Sequence, residues 1–152
     1  MQDKQNVDDD LFIRELIEEA KKGLKEGGIP IGSILVRNNK IIGRGHNRRI
    51  QDDDPIAHAE IACLKNAGRI GSYEQTVLYS TLMPCYLCAG AIVQFGIKKI
   101  IVGESKNFQG AVEFLKSHGV IIMDLESEEC ISLMENFIKN NPELWNEDIG
   151  KK

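Results

Sequence analysis

The sequence predicts an α/β protein of three layers, α/β/α, in which a five-stranded mixed sheet lies between helices on both faces. An amphipathic segment near the start is followed by two short apolar runs that predict a hairpin. After the hairpin, apolar β-branched runs alternate with helical patterns, as in parallel strands joined by right-handed crossovers.

The first helix and the hairpin are marked by spacing and by turn residues. Apolar residues recur at helical spacing from Asp10 to Gly27, where a glycine pair provides the stop. The apolar runs 31–36 and 41–45 flank Asn38-Asn39, which predicts a β-hairpin with an asparagine turn.

The rest of the chain alternates between helices and strands. A buried strand is expected where the alternating, β-branched run stops before Met83-Pro84. In chain order we expect a helix over 57–67, a strand over 76–81, a helix over 85–96, a strand over 99–103, a helix over 111–118, a strand over 120–124 and a helix over 127–140.

Length and composition predict a single domain. The chain has 152 residues, of which 42% are hydrophobic and 28% charged, and single cores commonly reach this size. Residues 1–9 are polar and acidic and are expected to be disordered, so the domain should span 10–152.

Charge and apolar patterning limit the partners. The net charge of −4 gives no general attraction to a phosphate backbone, so a small-molecule substrate is favoured over nucleic acid. The chain has no apolar run of about 18 residues, and its first residues are acidic where a signal peptide would be basic. We therefore expect a cytoplasmic protein without membrane contact, whose four cysteines stay reduced.

Two short motifs carry the chemistry: His58-Ala59-Glu60 and the run PCYLC from Pro84 to Cys88. One imidazole and two thiolates are ligands that Zn²⁺ prefers, and three protein ligands leave the fourth tetrahedral position to water or hydroxide. We therefore predict one zinc ion per chain, held by His58, Cys85 and Cys88. Glu60 is not needed as a ligand and is predicted to move protons beside the ion.

Both motifs are expected where helices begin. Unpaired backbone N–H groups and the positive end of the helix dipole favour thiolate over thiol at such a position. Cys85 and Cys88 lie one helical turn apart and can face the same ion.

Two other interpretations of these motifs stay open on the residues alone. A lone C-x-x-C can be a redox pair, although such a motif does not need HAE upstream. A closed structural zinc site would need a fourth ligand, for which Cys63, Cys130, His46 or His118 are available. A zinc-stabilised binding module without catalysis is the corresponding non-enzymatic function.

At these residues the chain resembles the cytidine deaminase superfamily. H-x-E with P-C-x-x-C is the known signature of zinc nucleobase deaminases. The resemblance extends from EGGIPIG at 26–32 to WNEDIG at 145–150. The run from Thr81 to Gly103 is also similar to tRNA adenosine deaminases and guanine deaminases, whereas GRGHN, GESKNF and PELWNEDIG are similar to the fungal-type cytosine deaminases.

That resemblance implies hydrolysis of free cytosine to uracil and ammonia in pyrimidine salvage. It also implies a homodimer and a C-terminal segment that closes as a lid. The alternatives are deamination of another free base or small heterocycle, such as guanine, isocytosine or a pterin, and deamination of tRNA adenosine.

The resemblance further implies a set of substrate contacts. Asn47 would hydrogen-bond the pyrimidine, Asp148 would accept from a ring N–H that only a free base has, and the remaining contacts would come from Phe108, Trp145, Ile31, Leu82 and Ala59. Three of these residues have an alternative role that does not depend on the resemblance. Asn47 would then only shape a turn, Trp145 would anchor the C-terminus, and Asp148 would be a solvated charge.

Overall fold

A computed structural model describes residues 2–151 of the chain, with side chains from Asp10 onward. Its elements are α1 (Gln2–Lys25), β1 (Gly32–Arg37), β2 (Lys40–His46), α2 (Ala59–Ala67), β3 (Thr76–Ser80), α3 (Tyr86–Phe95), β4 (Lys99–Val102), α4 (Val112–Ser117), β5 (Ile121–Asp124), α5 (Glu128–Asn140) and α6 (Pro142–Asp148). Within this described part of the chain, the helices are too short or too polar to cross a membrane.

The five strands form one mixed sheet in the order β2-β1-β3-β4-β5. β1 pairs antiparallel with β2 and β3, while β3, β4 and β5 run parallel. The hairpin turns at Asn38 and Asn39, whose φ angles of 53° and 60° lie in the left-handed region that asparagine tolerates. The predicted five-stranded mixed sheet is therefore confirmed.

Alternate strand residues build two cores, one on each face of the sheet. Leu35, Leu78 and Ile100 pack with buried residues of α2, α3 and α4. Ile34, Tyr79 and Ile101 pack on the opposite face, against Phe12 and Leu16 of α1. The sheet is thus covered by helices on both sides, as the sequence predicted.

Two elements differ from the sequence-based expectation. α1 begins at Gln2, so residues 2–9, expected to be disordered, are helical, and Met1 lies outside the described residues. That stretch has no proline or glycine to interrupt a helix. The sequence patterns also did not predict α6, which starts with Pro142 in its first turn, directly after α5.

Close packing of α2 on β2 depends on two glycines. A Cβ atom at Gly45 would lie 2.7 Å from the backbone nitrogen of Cys63, and one at Gly43 would lie 2.8 Å from the Cys63 carbonyl oxygen. Only a strand residue without a side chain permits this approach. The contact fixes α2, whose first turn carries the HAE motif, against the sheet.

Candidate metal centre and active site

The start of β1 and the ends of β2, β3 and β4 lie together along one edge of the sheet, the edge formed by strand ends. Gly32 at the start of β1 pairs with His46 at the end of β2. Ser80 at the end of β3 pairs with Ser33 of β1 and with Val102 at the end of β4. The chain therefore enters β1 and leaves β2, β3 and β4 at the same edge, where α/β sheets commonly bind ligands.

The two motifs lie at this edge and bring three metal-ligating side chains together. His58 is the N-cap residue of α2, Cys85 is the N-cap residue of α3, and Cys88 lies in the first turn of α3. The imidazole nitrogen and the two sulfurs lie within 4.8 Å of one another, and no other such group of three ligands occurs among the described residues. The sequence prediction that both motifs begin helices is confirmed.

The geometry and chemistry of this donor set fit zinc. Tetrahedral Zn–N and Zn–S bonds separate their ligand atoms by roughly 3.5–3.8 Å, and Nδ1 of His58 lies 3.4 Å from Sγ of Cys85. The other ring nitrogen, Nε2, lies 3.7 Å from Oδ1 of Asp148. At this distance the Asp148 carboxylate is an ion-pair neighbour of the imidazole and not its hydrogen-bond partner.

The pKa values of the two cysteine thiols are shifted in opposite directions. A hydrogen bond from Cys88, together with the neighbouring His58, lowers the pKa of Cys85 to about 4 although burial works in the opposite direction. The same bond to Cys85, and burial, raise the pKa of Cys88. Desolvation disfavours the imidazolium, but the interaction with Cys85 outweighs it and raises the pKa of His58. Zinc needs two thiolates and a neutral imidazole, so its binding releases these protons.

Glu60 is buried beside the three ligands, with only 4% of its surface exposed. Burial is the main cause that raises its pKa to about 7, and the charge on Cys85 raises it further. The Glu60 carboxyl lies outside the group of three ligand atoms. A carboxyl group with a pKa near neutrality can both donate and accept a proton at physiological pH.

The residues considered as a fourth ligand lie elsewhere. Cys63 and Cys130 are buried in the core, and burial raises the pKa of the Cys63 thiol to about 12. His46 is engaged by two glutamates, one at each ring nitrogen. His118 follows α4 and packs on Phe114. None of these four joins the group formed by His58, Cys85 and Cys88.

Beside the metal ligands lies a cavity of about 20 Å³, room for a single water molecule. The structure brings every sequence-predicted substrate contact to its wall. The lining residues are Ile31, Asn47, His58, Ala59, Glu60, Leu82, Met83, Cys85, Phe108, Trp145 and Asp148. Met83 is the one lining residue that the sequence analysis did not select, because a methionine beside a buried strand is typical of the core.

α6 covers the cavity and brings two of these residues. Trp145 is 5% exposed and meets Phe108 edge to face, with ring centroids 5.5 Å apart. The side chain of Asp148, at the end of α6, is 7% exposed, and its Oδ1 atom has no hydrogen-bond partner. Desolvation raises the pKa of Asp148. This carboxyl group is therefore not a solvated charge.

Asn47 follows β2 and is 1% exposed. Its Oδ1 accepts a hydrogen bond of 3.0 Å from the backbone N–H of Arg49, as in an asparagine turn. One acceptor position of the oxygen is thereby used, and the Nδ2 amide group can donate to a ligand. The sequence analysis did not select Arg49, because a lone arginine carries no signal for a partly buried position.

Comparison with known proteins decides the family. Residues 6–104 match the model of the cytidine and deoxycytidylate deaminase zinc-binding region. The chain belongs to this deaminase family. The match contains both motifs, so His58, Cys85 and Cys88 are the residues of a zinc-binding deaminase domain that can hold the ion.

Relatives of this deaminase differ in the compounds for which they are named. It is 44% identical to the cytosine deaminase of Candida albicans over 147 residues, 95% of this chain and 98% of the relative. It is 38% identical to the tRNA-specific adenosine deaminase of Buchnera aphidicola over 146 residues, 87% of this chain and 95% of the relative. A solved tRNA:A34 deaminase superposes with a TM-score of 0.71 at 28% identity, over 80% of this chain and 97% of that one.

Proposed function

We propose that this deaminase hydrolyses free cytosine to uracil and ammonia. The observation that carries the proposal is the Oδ1 atom of Asp148, which is buried in the same cavity as the metal ligands and accepts no hydrogen bond from the protein. The high identity to the Candida albicans cytosine deaminase along nearly the whole of both chains supports the same substrate.

An acceptor without a partner is costly in a buried site unless a ligand satisfies it. Free cytosine has a ring N–H at N1, whereas a nucleoside carries its sugar at that nitrogen. Asp148 Oδ1 would accept this N–H, and Nδ2 of Asn47 would donate to the ring carbonyl. These two contacts together favour the free base over its nucleoside.

The apolar wall suits a flat heterocycle. Phe108 and Trp145 would enclose the ring, and Ile31 and Leu82, which also line the pocket, would add contact area. The backbone at Ala59, between His58 and Glu60, lies within reach of the exocyclic groups. Exclusion of water by these residues strengthens each polar contact in the cavity.

The chemistry divides between the ion and Glu60. When bound, zinc supplies a nucleophilic oxygen at neutral pH because it lowers the pKa of water. Glu60 would donate a proton to N3 of the base, which makes C4 electrophilic, and the oxygen would form a bond to C4. Glu60 would then transfer the remaining proton of that oxygen to the exocyclic amine, whose bond to C4 breaks. The amine leaves as ammonia, and the C4 carbonyl of uracil forms.

Two features favour a free base over tRNA adenosine. The chain has a net charge of −4, whereas a tRNA-binding enzyme benefits from a basic face. In addition, α6 covers the cavity and would have to leave before a polymer could enter. A cytoplasmic location, where thiols stay reduced, suits an enzyme with two thiolate ligands and a role in pyrimidine salvage.

The substrate is tested by ammonia release from the zinc-loaded protein with cytosine, cytidine, guanine, isocytosine, a pterin, adenine and tRNA. We expect cytosine to give the highest kcat/KM and cytidine to be poor, because cytidine lacks the N1–H. Faster ammonia release from guanine, from another heterocycle or from tRNA would overturn the proposal in favour of that compound.

The Glu60→Gln variant tests proton transfer. The amide keeps the shape of the side chain but cannot shuttle a proton, so kcat should fall by about 10²–10⁴-fold with zinc content unchanged. Glu74→Gln, in an exposed loop, is the matched control and should leave kcat unchanged. Loss of zinc from the Glu60 variant would indicate a structural role instead.

We also propose that α6 is the lid of this site. The cavity of about 20 Å³ is too small for a pyrimidine, so a base can enter only if part of the wall moves. α6 is short, lies at the end of the chain and contributes Trp145 and Asp148 to that wall. Its reopening would limit product release.

Trp145 is the only tryptophan in the chain, so its fluorescence reports on the lid. Mixing with uracil in a stopped-flow instrument should produce an emission transient as the side chain is exposed and buried again, and the reopening rate should be close to kcat. Cytidine, which should not be bound well, serves as the control. Uracil binding without any emission transient would contradict the lid.

A homodimer is part of the proposal. Tyr86, Leu87 and Phe95 of α3 are 72%, 44% and 49% exposed, and a second copy of the chain would cover apolar side chains of this helix. Sedimentation should give about twice the chain mass of 17.0 kDa. Leu87→Glu should release monomers, whereas Ile121→Glu, an exposed control at the edge of the sheet, should not. A wild-type protein that sediments as a monomer refutes this part.

A further inference from the structure

Arg49 connects two side chains of the cavity without lining the cavity itself. Its backbone N–H holds Oδ1 of Asn47 at 3.0 Å. Its Nε atom lies 3.3 Å from Oδ1 of Asp148, and its side chain is only 12% exposed. One partly buried residue therefore contacts both of the polar side chains that would bind the base, Asn47 on the loop after β2 and Asp148 on α6.

The guanidinium is held mainly by the loop and not by Asp148. Nε donates a hydrogen bond of 3.1 Å to the carbonyl oxygen of Pro55. A terminal nitrogen lies 3.8 Å from a carboxylate oxygen of Glu147, but that side chain is 69% exposed and the pair is weak. Arg49 thus stays in place on the body of the protein when α6 moves.

Arg49 places a positive charge near the Asp148 carboxylate without donating a hydrogen bond to its Oδ1 atom. The cation is close enough to balance a buried carboxylate, whose burial alone is unfavourable. Because the Nε–H bond is directed at Pro55, Oδ1 of Asp148 accepts no hydrogen bond and keeps its acceptor site for a ligand.

We propose that Arg49 is a positioning residue that sets the preference for a base with a free N1–H, by orienting the Asp148 carboxylate and the Asn47 amide toward the cavity. The inference rests on the proposed cytosine deaminase function. It adds to that function a residue whose own side chain touches neither the substrate nor the metal ligands.

The test compares cytosine with 1-methylcytosine, which lacks the N1–H. In the zinc-loaded Arg49→Met protein, kcat/KM for cytosine should fall by about tenfold to a hundredfold, the range for a hydrogen bond to a charged group. kcat/KM for 1-methylcytosine should change by less than about threefold on the same scale. The ratio of the two values therefore collapses, and Arg49→Lys, which keeps the charge, should restore part of it.

Arg48→Met is the matched control. Arg48 pairs with Asp52 and Glu26 outside the cavity and is 38% exposed, so its loss should leave the ratio unchanged. Calorimetric binding of uracil and 1-methyluracil to each variant gives the same comparison without turnover.

The possible outcomes separate a failure of the role of Arg49 from a failure of the proposed cytosine deaminase activity. Equal losses for the two substrates in Arg49→Met would leave their ratio unchanged and assign Arg49 a structural role only. No loss for either substrate would remove Arg49 from recognition. Either result leaves cytosine deamination intact. A wild-type protein that releases no ammonia from cytosine refutes the proposed function, and the role of Arg49 fails with it.

Discussion

The site depends on the convergence of one imidazole nitrogen and two sulfurs at the starts of two helices. His58 and Cys85 are separated by 26 residues in the sequence, yet Nδ1 and Sγ lie 3.4 Å apart. The sheet makes this possible because β2 and β3 lie on either side of β1 and end on the same side of the sheet. α2 follows β2 and α3 follows β3, so both helices begin there. Glycines in β2 allow α2 to pack close enough for the motif to reach that edge.

Two carboxyl groups lie near the metal ligands in surroundings where little water can stabilise their negative charge. Glu60 and Asp148 are both buried, and burial raises the pKa of each carboxyl group. Burial of a carboxyl group costs free energy unless hydrogen bonds or charges compensate for it. Carboxyl groups kept in such surroundings are often functional. One carboxyl lies beside the metal ligands and the other faces the cavity with an unoccupied acceptor, which is the division expected between proton transfer and recognition.

Much of this could be predicted from the sequence because local signals are strong where the fold is regular. Asn38-Asn39 specified the hairpin turn, and the helical spacing of Cys85 and Cys88 predicted that both bind the same ion. The zinc-binding deaminase family followed from two motifs of a few residues each, and the family comparison confirms it.

What could not be predicted depends on tertiary contacts. α6 has only seven residues and little periodicity, so its helical state depends on the burial of Trp145. The helical start of α1 was missed because polar composition alone does not exclude a helix. The role inferred for Arg49 arises from three partners that are distant or unremarkable in the sequence, and the small volume of the cavity follows only from packing.

The central claim is that three protein ligands hold one zinc ion and leave its fourth position to a small oxygen ligand. X-ray absorption at the zinc edge of the purified protein measures this directly. We predict one zinc per chain with one nitrogen, two sulfurs and one oxygen in the first coordination shell. A third sulfur, a second histidine nitrogen, or a protein without zinc would contradict it.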